Sequence, residues 1–174
     1  PGMQTYTTKL ANTATNQVAI DPNPRSSLES TPGITKIIRK PLQEVALDEV
    51  IDCDLLFIDR RNRKDGGDVN NEILDIVPRL KPGAIIHWHD ILLPGEYWKD
   101  WVTRDKNFWT EQYLLQAFLQ FNREFEIIWA SRYMSLNRTA ALLSTFPNFE
   151  PAKAGLQVSG SEGNPSSTGK EWCL

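Results

Sequence analysis

The sequence predicts an α/β protein built on a doubly wound, mostly parallel sheet. Short apolar runs bounded by proline, glycine or charged residues recur along most of the chain, with helical patterns between many of them. The runs at 54–59 and 84–90 enclose an amphipathic segment, which is the pattern of a β-α-β unit. Both runs end in an acidic residue, at the edge of a parallel sheet where ligands usually bind.

Turn residues set the limits of the predicted strands. Pro22 and Pro24 end the first strand and Pro41 follows the second, because proline lacks the N–H that a sheet ladder needs and restricts the residue before it. We expect right-handed connections between the strands. The predicted strands are 17–21, 34–38, 54–58, 84–88 and 125–129.

The predicted helices alternate with these strands and cover 3–13, 68–80, 110–121 and 136–144, and the segment 43–51 is a brief acidic helix or a turn. Asp68, Thr110 and Ser135 are the expected N-caps, since their side chains accept hydrogen bonds from a helix's first N–H groups. The helix at 110–121 has a predicted core face composed of Tyr113, Leu114, Ala117, Phe118 and Phe121. The aromatic stretch between His89 and this helix is either a lid or an aromatic cluster that closes the edge of the core.

Composition places limits on domain organisation and partners. We expect one domain over 1–150, followed by a tail rich in Gly, Ser and Pro over 151–174 that ends in a further edge strand at most. A net charge of -3 and an isoelectric point near 5.4 argue against nucleic acid as a partner. Because the sequence has neither a 20-residue apolar run nor a signal peptide pattern, we expect a cytoplasmic protein without a membrane partner.

The candidate catalytic residues are Asp59, His89 and Asp90, which follow two of the predicted strands. His87 and His89 are the chain's two histidines, and they point to the same side of their strand because side chains alternate. His89, beside Asp90, is the candidate general base, acting without a metal. The alternatives are a divalent metal held by Asp59, His89 and Asp90, and a purely structural role for the histidines.

A cofactor role is indicated for Asp21, which ends a strand nineteen positions after Gly2. A carboxylate so placed after a glycine-started helix accepts hydrogen bonds from ribose hydroxyls in nucleotide-binding sheets.

Longer segments resemble a known family. The chain is similar to class I S-adenosylmethionine-dependent methyltransferases, and among them to the methyltransferase-24 type. The matching segments are Ala-Ile-Asp-Pro (19–22), Leu-Gln-Glu-Val (42–45), Asp-Leu-Leu-Phe-Ile-Asp (54–59), Gly-Asp-Val-Asn (67–70), Pro-Arg-Leu-Lys-Pro-Gly (78–83), His-Trp-His-Asp-Ile (87–91) and Trp-Thr-Glu-Gln-Tyr-Leu-Leu-Gln-Ala-Phe-Leu (109–119).

The resemblance implies a Rossmann-like fold and S-adenosylmethionine as the cofactor. It also implies that Gly2 lies under the methionine part of the cofactor, that Asp21 holds the ribose, that Leu42 and Gln43 lie beside the adenine, and that Asp59 faces the methyl sulfonium and the acceptor. That acceptor is expected to be an oxygen or nitrogen of a small molecule or sugar. Since the implied first strand would precede residue 1, we expect the fold to be incomplete at its N-terminus. A homo-oligomer is also consistent with the resemblance.

Two other functions stay open. Arg60-Arg61-Asn62 stands where the family pattern has Ser-Ser-His, so an imidazole is replaced. This difference favours a degenerate, non-catalytic binding or interaction module with the same fold. A nicotinamide-dependent oxidoreductase on a similar sheet is the weaker alternative.

Overall fold

The computed structural model describes residues 16–24, 28–59 and 68–150, and within these ranges the side chain of Asp68 is excluded. The described part is a mixed α/β structure with short parallel strands. Strand β1 (Gln17–Ile20) pairs in parallel with β2 (Ile34–Ile38), and β3 (Leu55–Ile58) pairs in parallel with β4 (Ile85–Trp88).

These pairs form two separate two-stranded sheets in the described part of the chain. The parallel direction of the strands and the positions of four of them are therefore confirmed to within about a residue at each end. A single doubly wound sheet that joins the two pairs stays a prediction.

The fifth predicted strand is wrong, because residues 125–129 pair with no strand in the described ranges. Apolar composition indicates a strand, but a strand forms only where a neighbouring edge accepts its backbone hydrogen bonds. The side chains of this segment contact helices instead. Phe125 packs against Phe118 with ring centroids 5.1 Å apart, and Trp129 Nε1 donates a hydrogen bond to Ser131 Oγ at 2.8 Å.

The helices are short, and in the described residues none is long and apolar enough to cross a bilayer. A 3₁₀ turn (Leu42–Glu44) precedes the first of them. Helix α2 continues as a π-helical turn (Glu72–Ile76) and a 3₁₀ turn (Val77–Arg79). The helices are α1 (Asp48–Ile51), α2 (Asp68–Asn71), α3 (Lys99–Thr103), α4 (Glu111–Leu119), α5 (Ser131–Asn137) and α6 (Thr139–Thr145).

Pro78 accounts for the change of pitch after α2. A proline inside a helix cannot donate to the carbonyl four residues earlier, and its ring crowds that carbonyl. The chain widens to π geometry before Pro78 and tightens to 3₁₀ geometry around it. The predicted helix over 68–80 is confirmed in extent but not in regularity.

One predicted N-cap is wrong, one is confirmed in position alone, and one is not tested. Ser135 lies inside α5, whereas Asp68 opens the described part of α2 next to residues outside the described ranges. The Ser135 hydroxyl donates to the Arg132 carbonyl at 2.9 Å, a bond within the helix that competes with capping. Thr110 does precede α4, but its side chain makes no capping hydrogen bond. The predicted helix at 3–13 and the tail at 151–174 lie outside the described residues.

The core face of α4 also differs from the prediction. Glu111, Gln112 and Leu115 are buried, whereas Tyr113 and Phe121 are exposed. The hydrophobic pattern failed because two polar residues occupy inward positions, where they bond to the preceding loop. The long loop itself is interrupted by α3, which the sequence did not indicate.

Three clusters of buried side chains position the strands. The first joins the two strand pairs, since Ile20 and Leu56 both pack against a cluster formed by Leu42, Val50 and Ile76. The second contains Val69, Ile73 and Leu115 and packs α2 and α4 against β4. The third lies in the loop after β4 and contains Leu92, Tyr97 and Trp109.

The opposite face of the β3–β4 pair is exposed. In the parallel register Leu55 lies beside Ile85 and Phe57 lies beside His87. Leu55, Phe57 and Ile85 are all exposed, although parallel sheets usually bury both faces. This apolar face leads to the candidate site at the carboxyl ends of the same two strands.

The second cluster predicts a sharp difference between two adjacent residues. Ile73 is 1% exposed, whereas Leu74 is 63% exposed. We expect Ile73→Ala to lower the free energy of unfolding by about 2–4 kcal/mol, because it leaves a cavity between α2 and α4. Leu74→Ala is the matched control and should change it by less than about 0.5 kcal/mol. Urea unfolding measures both, and equal losses would contradict this packing.

Candidate functional site

The site lies at the carboxyl ends of β3 and β4. Because Ile58 and Trp88 are paired in register, the next residues of the two strands leave the sheet at the same edge. The His89 N–H donates to the Ile58 carbonyl at 2.9 Å and extends the ladder by one bond. Asp59, His89 and Asp90 are thereby brought together, with one potential ligand atom from each within 4.8 Å of the others.

His89 is the buried member of this group, at 8% exposure. Its Nε2 lies 3.2 Å from Asp90 Oδ1, while its Nδ1 is buried and has no hydrogen-bond partner among the described residues. Asp59 is exposed. The three residues therefore combine an imidazole held by a carboxylate with a second carboxylate that solvent reaches.

Asp90 has an unusual backbone, with a φ of 58°. This left-handed conformation is uncommon for residues other than glycine, although aspartate tolerates it better than most. Such a conformation persists when the surrounding structure imposes it. The direction of the Asp90 carboxylate toward His89 is thus set by backbone that its neighbours hold in place.

Aromatic rings form a column along the exposed face of the pair. Phe57 and His87 stack with centroids 4.5 Å apart and planes inclined by 7°, and His89 lies 6.2 Å from His87. Trp88 points the other way and packs near Val69 and Ile73. The predicted alternation of His87 and His89 against Trp88 is confirmed.

Burial lowers the pKa of His87 below its ordinary value of 6.5, and the nearby charge of His89 lowers this pKa further, whereas Asp59 opposes the shift. His87 Nε2 is buried without a hydrogen-bond partner in the described ranges. The ring of His87 therefore packs against Phe57, and no described residue accepts or donates a hydrogen bond at its Nε2.

The predicted cofactor residues belong mainly to the other strand pair. Asp21 follows β1, and its Oδ1 accepts a hydrogen bond from the Asn23 N–H at 2.8 Å. Leu42 is buried in the first cluster and Gln43 is exposed, yet both line an open cavity of about 240 Å³. Gly2 lies outside the described residues.

Asp75 and Arg79, from the two turns that continue α2, also line that cavity. The lining is completed by Val45, Leu47, Val50, Asn71 and Ile76. The lining therefore combines apolar side chains with amide and charged groups.

The aromatic loop after Asp90 is packed as a cluster. Trp109 meets Trp101 edge to face at 4.8 Å and Tyr97 at 5.9 Å, and both Tyr97 and Trp109 are buried. Of the two interpretations of this loop, the structure favours the cluster that closes the edge of the core.

The sequence analysis missed the polar contacts between this loop and the first turn of α4. Gln112 is fully buried and bonds to Leu92 and Gly95, and Tyr97 bonds to Gln112. Burial and the negative charge of Glu111 raise the pKa of the Tyr97 hydroxyl. The available signal in the sequence was the Glu111-Gln112 pair at the start of a helix whose other residues, apart from Gln116, are apolar or aromatic.

Residues 5–91, which are 87 of the 174, match the model of a methyltransferase-domain family of the methyltransferase-24 type. The chain belongs to this methyltransferase family. The methyltransferase match begins before β1 and ends one residue after Asp90, so it includes Asp21 and Asp59 as well as His89. Helix α4 lies beyond it. No curated protein and no solved structure matches the chain.

The methyltransferase family confirms the resemblance found in the sequence and fits a Rossmann-like arrangement of the strands. The match gives no role to individual residues, so the role of each site residue stays a prediction.

The half-buried ring of His87 predicts a pH dependence of stability. Its folded pKa lies below 6.5, so the unfolded state binds the proton more readily and stability falls as pH decreases below about 6.5. NMR titration of the two imidazoles should give a His87 midpoint below 6.5. His87→Phe should lose less stability than the natural chain between pH 7.5 and 5.5 in urea unfolding. A His87 midpoint at or above 6.5 would overturn this account.

Proposed function

We propose that this chain transfers a methyl group from S-adenosylmethionine to an oxygen or nitrogen of a small molecule or sugar. The observation that carries the proposal is the group formed by Asp59, His89 and Asp90 at the sheet edge, in a chain of a methyltransferase family. The proposal includes a doubly wound sheet in which both strand pairs take part and hold the cofactor between them.

In this proposal the β1–β2 pair binds the cofactor. The Asp21 carboxylate accepts hydrogen bonds from the ribose hydroxyls, as acidic residues at such strand ends do in nucleotide-binding sheets. Leu42 and Gln43 contact the adenine, and their place at one cavity supports this assignment. Gly2 approaches the methionine part of the cofactor.

The β3–β4 pair carries out the chemistry. S-adenosylmethionine supplies an activated methyl group, so the protein must mainly orient the acceptor and take up its proton. Asp59 is exposed, and in this proposal it orients the acceptor hydroxyl or amine. His89 takes up the proton at Nδ1, and the Asp90 carboxylate at Nε2 stabilises the resulting imidazolium. Because Nδ1 is buried, the acceptor must displace the atoms that cover it.

A base without a metal is favoured over a cation bound by the same residues. Asp59, His89 and Asp90 offer three donors, and Asp90 already contacts His89. Mg²⁺ prefers six oxygen ligands, and a bound cation would have to compete with Asp90 for the imidazole. If present, a cation would be held by these three side chains and would polarise the acceptor oxygen.

The second candidate function is a non-catalytic binding module. Arg60-Arg61-Asn62 favours it, since the imidazole of the family pattern is replaced. Cofactor binding would survive in such a module. The proposed enzyme differs from it in using His89 in place of the imidazole absent from position 62.

Cofactor binding is tested by calorimetric titration with S-adenosylhomocysteine, the product of methyl transfer. We expect Asp21→Asn to weaken binding about 10- to 100-fold, the effect of losing hydrogen bonds to a charged group. Asparagine keeps an oxygen that can accept from the Asn23 N–H, so the local turn is preserved.

Asp54→Asn is the control, because Asp54 lies before β3, at the opposite end of the strand from the site, and pairs with Lys81 at 2.9 Å. It should bind S-adenosylhomocysteine like the natural chain. Absence of heat at millimolar ligand would reject the methyltransferase proposal, and equal losses in both variants would reject the role of Asp21.

The prediction that the base acts without a metal is tested by titration with Mn²⁺. Calorimetry and the electron paramagnetic resonance signal of the free ion both measure the uptake. We expect no saturable uptake of Mn²⁺. Asp59, His89 and Asp90 offer three ligand atoms, two of which already contact each other, and these do not complete the coordination shell of the ion. Uptake of one ion that is lost in Asp59→Asn and retained in Asp54→Asn would instead assign the group to a metal.

A further inference from the structure

Gln112 is a polar residue at the centre of an apolar contact. It is 0% exposed and lies in the first turn of α4, within the Trp109–Leu119 segment quoted for the family resemblance. Leucine at this position would fill a similar volume without the cost of desolvating an amide. A buried amide is retained where its hydrogen bonds specify an arrangement that packing alone does not.

The Gln112 side chain makes two hydrogen bonds to the loop that follows β4. Its Oε1 accepts from the Leu92 N–H at 3.2 Å, and its Nε2 donates to the Gly95 carbonyl at 3.3 Å. The same turn is closed by the Gly95 N–H, which donates to the Leu92 carbonyl at 2.7 Å. One amide thus holds both ends of the turn from Leu92 to Gly95.

This turn begins two residues after Asp90. On one side of Asp90, the His89 N–H is fixed to Ile58 by the last bond of the sheet. On the other side, the Leu92 N–H is fixed to Gln112. The two bonds enclose the residue whose φ is 58°, and such a conformation requires a surrounding structure that imposes it.

Gln112 is itself held by the aromatic cluster. Its backbone N–H is one of the four in the first turn of α4 that no helical carbonyl can accept, and it donates to the Tyr97 hydroxyl at 3.3 Å. Tyr97 packs edge to face against Trp109 and Tyr113. The packed aromatic cluster therefore helps to hold Gln112 in one position.

We infer that Gln112 is a positioning residue for the site: it fixes the backbone of Asp90 through Leu92 and so aims the Asp90 carboxylate at His89. This role rests on the proposed function of His89 and Asp90 in proton transfer. In this role, Gln112 holds the start of the loop from Leu92 to Trp109 beside the site, and α4 supports that loop.

The experiment compares the full chain with Gln112→Met, Gln112→Glu and Gln116→Met. Methionine has a similar length and can neither accept nor donate these hydrogen bonds, whereas glutamate keeps an acceptor for the Leu92 N–H. Gln116 is exposed on the same helix, so Gln116→Met is the matched control for the change in helix composition. Selective ¹⁵N labelling of histidine gives the ring signals of the chain's two imidazoles.

We expect Gln112→Met to shift both nitrogen signals of His89 and to leave those of His87 near their natural positions. Gln116→Met should shift neither. Gln112→Glu should keep the His89 signals, because the bond to Leu92 is retained. A folded Gln112→Met chain with unchanged His89 signals would overturn the inference, and so would equal shifts in both rings.

If Gln112→Met does not fold, Gln112→Glu decides the question together with hydrogen exchange at Leu92. Natural His89 signals with a protected Leu92 amide support the inference. Shifted His89 signals despite that protection overturn it.

A functional readout separates positioning from general stability. Gln112→Met should bind S-adenosylhomocysteine within about twofold of the natural chain, because the proposed ribose and adenine contacts of Asp21, Leu42 and Gln43 lie outside the loop that Gln112 holds. Loss of binding in Gln112→Met alone would overturn the inference. Failure of the natural chain to bind would reject the proposed function, while the histidine spectra would still test the role of Gln112.

Discussion

The hydrogen bond from the His89 N–H to the Ile58 carbonyl determines much of what this chain can do. It continues the parallel register of β3 and β4 past the last residues of both strands. Asp59 and the His89–Asp90 pair, 30 positions apart in the sequence, become neighbours at one sheet edge because that register holds. A slip of one residue would turn every side chain of β4 to the opposite face and separate the imidazole from both carboxylates.

The elements near this edge were predictable from the sequence for simple reasons. Proline and glycine limit the strands, and the apolar runs are short and continuous, as buried parallel strands require. The alternation of side chains placed His87 and His89 together and Trp88 in the core. The acidic residues at the strand ends were found for the same reason, since strand direction alone places them at the carboxyl edge.

Other features depend on contacts that no local pattern contains. The segment 125–129 has the composition of a strand, but a partner edge must exist before it can join a sheet. The core face of α4 differs from the predicted one because the pattern counts only apolar residues, whereas the amide of Gln112 faces inward and bonds to the backbone of a loop some twenty residues away. The π-helical turn before Pro78 likewise reflects one proline acting on the pitch of the residues before it.

The exposed face formed by Leu55, Phe57 and Ile85 has a consequence for the acid–base chemistry of the edge. Phe57 stacks on His87, and His87 stacks in turn near His89, so the column runs from open apolar surface to the candidate base. Burial is already the largest cause of the lowered His87 pKa. Any surface that comes to rest on Leu55 and Phe57 removes more water from this column. The proton affinity of His87 is thereby linked to what covers the sheet, so that covering this face and protonating His87 become two aspects of one equilibrium.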